Sequence, residues 1–185
     1  DIHAASFQLM PEEAEVVAVA SPTPGHPEEL ARRYGIPRVF RDYREMLKET
    51  DIEMVTIAAP NALHARMTAD IARAGKHVVC EKPLSTSPAL VRELIALAAA
   101  KGLRNCTNHN LRYYPMVQQM RRMRESGELG DILIVQGTYS QDWLFYDTDW
   151  NWRVVAEDNG RSRCMADIGS HFCDMAEHVS GLRIS

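Results

Sequence analysis

Short apolar segments that favour β-strands alternate with helical segments along the first 107 residues. The predicted strands are 15–20, 54–59, 78–80 and 103–107, and glycines follow several of the helices. Glycine is common at that position because it adopts the left-handed conformation that ends a helix. Strands that alternate with helices of about ten to fifteen residues are typical of βαβ units. The pattern therefore predicts an α/β domain with a doubly wound parallel sheet.

The alternation stops near Asn108, where we place a domain boundary. The sequence beyond it predicts a helix over 116–126, a strand over 131–139 and a last helix over 167–179. Gly127 and Gly181 follow the two helices, as expected for helix ends. The chain is thus divided into domains 1–107 and 108–185.

Charge and hydropathy exclude two kinds of partner. The net charge is -4 and the pI is about 6.0, which gives no basic surface for nucleic acid. No apolar run approaches the length of a transmembrane helix, and no signal-peptide pattern opens the chain. We therefore expect a cytoplasmic protein that binds neither nucleic acid nor a membrane.

The four cysteines are widely spaced, which indicates reduced, buried thiols rather than a disulfide framework. A zinc site formed by Cys164, His171 and Cys173 is an alternative. It lacks the Cys-x-x-Cys pair that is common in such sites, so we predict no metal.

Polar residues follow three of the predicted strands: Ser21, Asn61 with His64, and Glu81 with Lys82. The carboxyl ends of the strands in an open α/β sheet line the ligand-binding crevice. Pro83 restricts the backbone of Lys82, which fixes the position of its ammonium group. The alternative is structural: Asn61 would only cap the helix that follows, and His64 and Lys82 would be surface residues.

Asp167 and His171 are spaced i, i+4, so on a helix they share a face and can bind a common ligand. Asp174 lies three residues further on and could orient the imidazole of His171. A structural His–Asp pair would have the same spacing. The aromatic residues upstream are interpreted mainly as core, with a sugar-stacking wall as the alternative: Trp143, Phe145, Tyr146, Trp150 and Trp152.

Six ordered motifs resemble the glucose–fructose oxidoreductase / inositol dehydrogenase (Gfo/Idh/MocA) family of NAD(P)-dependent oxidoreductases. They lie at 3–5, 59–64, 74–83, 112–115, 127–132 and 167–174. The resemblance implies a partial Rossmann domain over 1–107 that lacks its first strand. It also implies a partial α+β substrate domain over 108–185 with an open, mainly antiparallel sheet. The glycine-rich loop that precedes the first motif is absent, so we expect the chain to be the interior of a longer protein.

The same resemblance implies hydride transfer between a secondary alcohol of a sugar or cyclitol and NAD or NADP. Its catalytic residues would be Lys82, Asp167 and His171. Its cofactor-binding residues would be Ser21, Pro60, Asn61, His64, Glu81 and Lys82. Its substrate-binding residues would be Arg112, Trp152 and Arg153, together with Asp167 and His171. A cis peptide at Lys82–Pro83 and a homo-oligomer formed through the second-domain sheet are further expectations.

Three points stay open. Residues 21–24 offer neither an acid for the ribose hydroxyls nor an adjacent arginine for a 2′-phosphate, so NAD and NADP are not distinguished. A redox-assisted, NAD-dependent glycosidase is one alternative function. A non-catalytic, dinucleotide-sensing regulator of the same fold is another.

Overall fold

The computed structural model describes residues 2–151, 154–155, 162 and 164–184. The chain divides into two compact units, Asp1–Thr107 (unit 1) and Asn108–Ser185 (unit 2).

Unit 1 alternates helices and strands from its first element. In chain order these are α1 (Ile2–Phe7), β1 (Ala18–Ala20), α2 (His26–Tyr34), β2 (Arg38–Phe40), α3 (Tyr43–Met46), β3 (Met54–Ile57), α4 (Asn61–Arg73), β4 (His77–Glu81), α5 (Pro88–Ala100) and β5 (Asn105–Asn108). The strand β2 was not predicted. It is only three residues long and begins with a charged residue, so it lacks the apolar run that marks the other strands.

The strands of unit 1 form two sheets. β1 pairs in parallel with β2, with Ala18 opposite Arg38 and Ala20 opposite Phe40. The second sheet has the order β3-β4-β5, and β3 pairs in parallel with β4. Parallel strands joined by helices confirm the predicted α/β fold.

The core of unit 1 lies between these strands and helix α4. Ile57 and Ile71 are almost completely buried, and Val78 and Cys80 on β4 pack in the same cluster. Every second residue of β3 and β4 is buried. Partly buried residues of the first sheet pack against this cluster, so both sheets share one core.

Most helix ends of unit 1 follow the sequence signals. The Ser87 side chain accepts a hydrogen bond from the Leu90 amide and caps α5, and Asp42 caps α3. The predicted cap by Asn61 is wrong. α4 begins at Asn61 itself, and the residue before it is Pro60, whose carbonyl accepts the Leu63 amide at 2.9 Å.

Unit 2 is built on packed helices. Its elements are a 3₁₀-helix (Asn110–Tyr113), α6 (Pro115–Glu125), a π-helical turn (Met165–Gly169) and α7 (Ser170–Ser180). α6 packs against α7, and the Arg124 side chain donates to the Val179 carbonyl at 3.0 Å. None of the helices that the structure describes is both long and apolar enough to cross a bilayer.

The strand predicted over 131–139 is not formed. A strand needs a neighbour to satisfy its backbone hydrogen bonds, and after Asn108 the described residues contain no second strand. The apolar side chains of Leu133 and Ile134 are consequently exposed. The open antiparallel sheet implied for this domain is therefore not made by the residues that the structure describes.

All four cysteines are free, as predicted, but only Cys80 is buried. Burial raises the pKa of the Cys80 thiol to about 12, and the Thr68 hydroxyl lowers this pKa by a smaller amount. Cys106 and Cys164 are exposed, so the prediction of buried thiols is wrong for them. Among the described residues no group of three or more His, Cys, Asp or Glu is placed to hold a metal ion.

Lys76 is a buried lysine at the turn between α4 and β4. Its side chain is 6% exposed, and its ammonium donates to the carbonyls of Glu49 and Ile52 at 2.6 and 2.8 Å. A buried charge is costly without partners, so these two bonds fasten the turn to the segment before β3.

We expect Lys76→Met to destabilise the protein. The substitution keeps most of the apolar stem and leaves two carbonyls without donors, at about 1–3 kcal/mol each. The matched control is Lys48→Met, since Lys48 makes an exposed pair with Glu45 and should cost less than about 1 kcal/mol. Urea unfolding of both variants is the measurement, and equal losses would contradict the role given to Lys76.

Candidate functional site

The carboxyl ends of β3 and β4 lie side by side in unit 1. The pairing of Ile57 with Cys80 sets this register, so the segments that leave the two strands start at the same edge of the sheet. Pro60 and Asn61 follow β3, and Lys82 follows β4 directly. The Lys82–Pro83 peptide is cis, which confirms the prediction.

His64 connects these two segments. The side chain is 1% exposed, its Nδ1 atom lies 2.7 Å from the Pro83 carbonyl oxygen, and its Nε2 atom lies 2.7 Å from the Ala59 carbonyl oxygen. Both ring nitrogens therefore lie within hydrogen-bond distance of backbone carbonyls, and a neutral imidazole, which carries one N–H, donates to one of them. This geometry gives His64 a positioning role, and its contact with a cofactor stays a prediction.

Glu81, the last residue of β4, is held by α1. His3 Nε2 lies 2.8 Å from Glu81 Oε1, and both side chains are partly buried. His3 was not predicted as a site residue. Its partner lies 78 residues away, so no local pattern in the sequence could have indicated the contact.

The segment after β1 is a tight turn built on Ser21. The Thr23 amide donates to Ser21 Oγ at 3.3 Å, and His26 Nδ1 lies 3.5 Å from the same oxygen. Arg41, which follows β2, donates to the Thr23 carbonyl at 3.1 Å. This arginine was not predicted beside the turn, because Arg41 reaches it only through the pairing of β1 with β2.

In unit 2, Asp167 lies within the π-helical turn and His171 in the first turn of α7. Short π-helical segments are rare and are frequently found at functional sites. Gly169 ends the turn, and a Cβ atom there would overlap the sulfur of Met165. A residue with a Cβ at this position would therefore displace the exposed Met165 side chain.

Asp174 and Arg112 form a two-point ion pair. Arg112 Nε donates to Asp174 Oδ2 at 2.7 Å, and Nη2 donates to Oδ1 at 2.5 Å. The pair anchors α7 to the 3₁₀-helix, and the substrate role of Arg112 and the orienting role of Asp174 toward His171 stay predictions. Bidentate geometry and the burial of Asp174, whose side chain is 10% exposed, make this a strong ion pair.

Two aromatic rings surround His171. The ring of His109 lies edge-on to it with centroids 5.8 Å apart, and that of Tyr139 lies at 6.4 Å. His109 is also 3.9 Å from Asp174. Neither His109 nor Tyr139 was predicted, since both are far from His171 in sequence. Their contacts limit the orientations that the imidazole can adopt.

A cavity of about 510 Å³ opens beside Asp167. Most of its lining is apolar or aromatic, and the described residues that line it are Gly137, Tyr139, Gln141, Trp143, Leu144, Val154, Cys164, Met165, Asp167, Ile168, Gly169 and Phe172. A Cβ atom at Gly137 would lie 2.8 Å from the Phe172 ring, so the wall needs glycine there. The cavity combines one carboxylate with flat apolar surfaces.

The aromatic cluster was interpreted mainly as core, and the structure contradicts that for its four described members. Phe145, Tyr146 and Trp150 are each about 70% exposed, and Trp143, which lines the cavity, is 39% exposed. The predicted substrate residues Trp152 and Arg153 lie outside the described residues.

Two family models match the chain. One, described as the oxidoreductase family with an NAD-binding Rossmann fold (GFO_IDH_MocA), matches residues 1–109. The other, described as the GFO/IDH/MocA C-terminal domain, matches residues 117–185.

Named relatives are found by sequence and by structure. A levoglucosan dehydrogenase of Pseudarthrobacter phenanthrenivorans is 34% identical over 164 residues, which are 88% of this chain and 42% of that protein. A trans-1,2-dihydrobenzene-1,2-diol dehydrogenase of Bos taurus is 32% identical over 140 residues, 75% of this chain and 42% of that protein. The chain therefore spans about two fifths of the length of these curated relatives.

Solved structures share the fold of this chain. An oxidoreductase domain protein from Kribbella flavida matches with a TM-score of 0.90 and 26% identity, over 98% of this chain and 51% of that one. A levoglucosan dehydrogenase in complex with NADH matches with a TM-score of 0.88 and 32% identity, over 97% of this chain and 50% of that one.

We expect a double-mutant cycle on Arg112→Ala and Asp174→Ala to show strong coupling. The pair is bidentate and one partner is buried, so the interaction should contribute about 1.5 kcal/mol or more to the free energy of unfolding. Arg121 and Glu125 provide the control pair, since both are exposed on α6 and should couple by about 0.3–0.5 kcal/mol. Similar coupling for both pairs would refute the anchoring role of Arg112.

Proposed function

We propose, because this chain belongs to the Gfo/Idh/MocA oxidoreductase family, that the whole protein is an NAD(P)-dependent dehydrogenase for a secondary alcohol of a sugar or cyclitol. The observation that carries the proposal is the edge formed by the ends of β3 and β4, where Lys82 is placed directly beside the segment containing Pro60 and Asn61. The names of the relatives support the reaction class, since they are dehydrogenases of an anhydrosugar and of a diol.

The residues at this edge fit a dinucleotide. The first amides of α4, from Asn61 onward, favour a polar or anionic group, and open α/β sheets bind ligands at the carboxyl ends of their strands. We assign Ser21, Pro60, Asn61, Glu81 and Lys82 to cofactor binding. When bound, NAD(P) would supply the hydride acceptor. His64 and His3 would act indirectly, by holding the segments on which these residues lie.

We assign catalysis to Lys82, Asp167 and His171. Removal of the hydroxyl proton would put negative charge on the oxygen, and that electron pair would form the C=O bond as hydride leaves the carbinol carbon with the C–H electron pair. His171 would take the proton, and Asp167 would accept a hydrogen bond from a neighbouring hydroxyl of the polyol and so orient the substrate. The ammonium of Lys82 would stabilise the charge that develops on the oxygen. The alcohol is thereby oxidised to a ketone.

The cavity of unit 2 supports a cyclic polyol as the substrate. Asp167 can accept hydrogen bonds from hydroxyl groups, and Tyr139 and Trp143 offer flat surfaces for the C–H face of a sugar ring. Arg112, Trp152 and Arg153 remain predicted substrate residues. We also propose a homo-oligomer formed through the second domain, supported by the exposed apolar residues Leu133 and Ile134.

A screen of aldoses and inositols with NAD and NADP tests the function in the full-length protein. A dehydrogenase accumulates reduced nicotinamide in proportion to ketone. A redox-assisted glycosidase would release sugar without net reduction of the cofactor. A regulator would bind the dinucleotide and turn over no substrate, which would contradict the proposal.

Lys82→Met and His171→Asn should each lower turnover by a factor of about 10² or more, because each removes a group that acts on the reacting oxygen. Dissociation constants for the dinucleotide should change little, since neither side chain is assigned to the pyrophosphate or adenosine.

Lys101→Met and His178→Asn serve as matched controls. Lys101 lies at the end of α5 and His178 near the end of α7, and neither is assigned to the site. Steady-state rates should be close to those of the wild type in both controls. Wild-type rates in Lys82→Met and His171→Asn, with the fold intact by circular dichroism, would disprove the catalytic assignment.

A further inference from the structure

The register of the first sheet brings an arginine to the turn after β1. Ala20 is paired with Phe40, and the Ser21 amide donates to the Phe40 carbonyl at 3.1 Å. Arg41 is the residue directly after β2, and its guanidinium donates to the Thr23 carbonyl at 3.1 Å. A cation is thus fixed beside the Ser21 turn, although 20 positions separate the two residues in the sequence.

The turn itself contains no carboxylate. Residues 21–26 are Ser-Pro-Thr-Pro-Gly-His. In doubly wound dinucleotide-binding folds, an acid after the second strand accepts hydrogen bonds from the adenosine ribose, whereas a nearby arginine accommodates a 2′-phosphate. Because the resemblance places α1 directly after the glycine-rich loop, β1 corresponds to that second strand. The Ser21 hydroxyl and the Arg41 guanidinium are the groups that a 2′-phosphate would need there.

The present partner of Arg41 is a weak competitor. Glu28 Oε1 lies 2.5 Å from Arg41 Nη2, and both side chains are about half exposed. Exposed ion pairs contribute little, and a phosphate carries about two negative charges against one on a carboxylate. Two other arginines nearby are bound differently: Arg38 makes two bonds to Asp51, and Arg44 makes several to Asp42.

We propose that Arg41, together with Ser21, binds the 2′-phosphate of NADP(H), so that this protein prefers NADP(H) to NAD(H). This inference rests on the proposed dinucleotide-binding function. It names the specificity-determining cation, which the sequence alone did not connect with the turn.

The test is direct titration of the full-length protein with NADPH and with NADH, followed by protein fluorescence. The wild type should bind NADPH more tightly. Arg41→Ala should raise the Kd for NADPH by about 10-fold or more and reduce the preference accordingly, because it removes a charge-assisted bond to phosphate. Glu28→Gln should strengthen NADPH binding, since it releases Arg41 from its partner.

Arg44→Ala is the matched control, because it removes an equally exposed arginine three residues away and should keep the wild-type preference. Melting curves confirm that each variant is folded. Tighter binding of NADH by the wild type, or an equal loss of both dinucleotides in Arg41→Ala, would overturn the inference and leave the dehydrogenase function intact. Binding of neither dinucleotide would instead refute the proposed function itself.

Discussion

The parallel pairing of β3 with β4 is the constraint on which the candidate site of unit 1 depends. The pairing brings the carboxyl ends of β3 and β4 to one edge of the sheet, so the segments that follow the two strands begin there. The buried ring of His64 joins these segments through the carbonyls of Ala59 and Pro83. The position of Lys82 follows from that connection, since it lies between the end of β4 and Pro83. A buried hydrogen bond of this kind holds a site because breaking it leaves an unsatisfied carbonyl.

In unit 2, an ion pair and ring contacts hold the proposed catalytic residues in position. The Arg112–Asp174 pair fastens the 3₁₀-helix to α7, while the rings of His109 and Tyr139 restrict His171. In both units, the residues next to the proposed catalytic side chains make hydrogen bonds, ion pairs or ring contacts with other residues of the same unit. Several of those supporting residues are charged or titratable.

The sequence predicted the local features of this protein and missed those that depend on pairing at a distance. Periodicity and glycine positions indicated most helices and strands of unit 1, and the observed caps, Asp42 and Ser87, are residue types that favour that position. The roles of His64, Arg112 and Arg41 were not predictable, because each depends on a partner 18 to 62 residues away in the sequence. The prediction of a strand at 131–139 was wrong for a related reason. The composition of this segment favours β structure, but a strand also requires a neighbouring strand to pair with.

The most direct test of the central claim follows the hydride itself. A cyclic polyol that is turned over by the full-length protein would be labelled with deuterium at its carbinol carbons, and the cofactor would be recovered and analysed by mass spectrometry. The account predicts that one deuterium is transferred to the nicotinamide for each ketone formed. Deuterium that is lost to water, or that is retained in the product while the cofactor stays unlabelled, would contradict it.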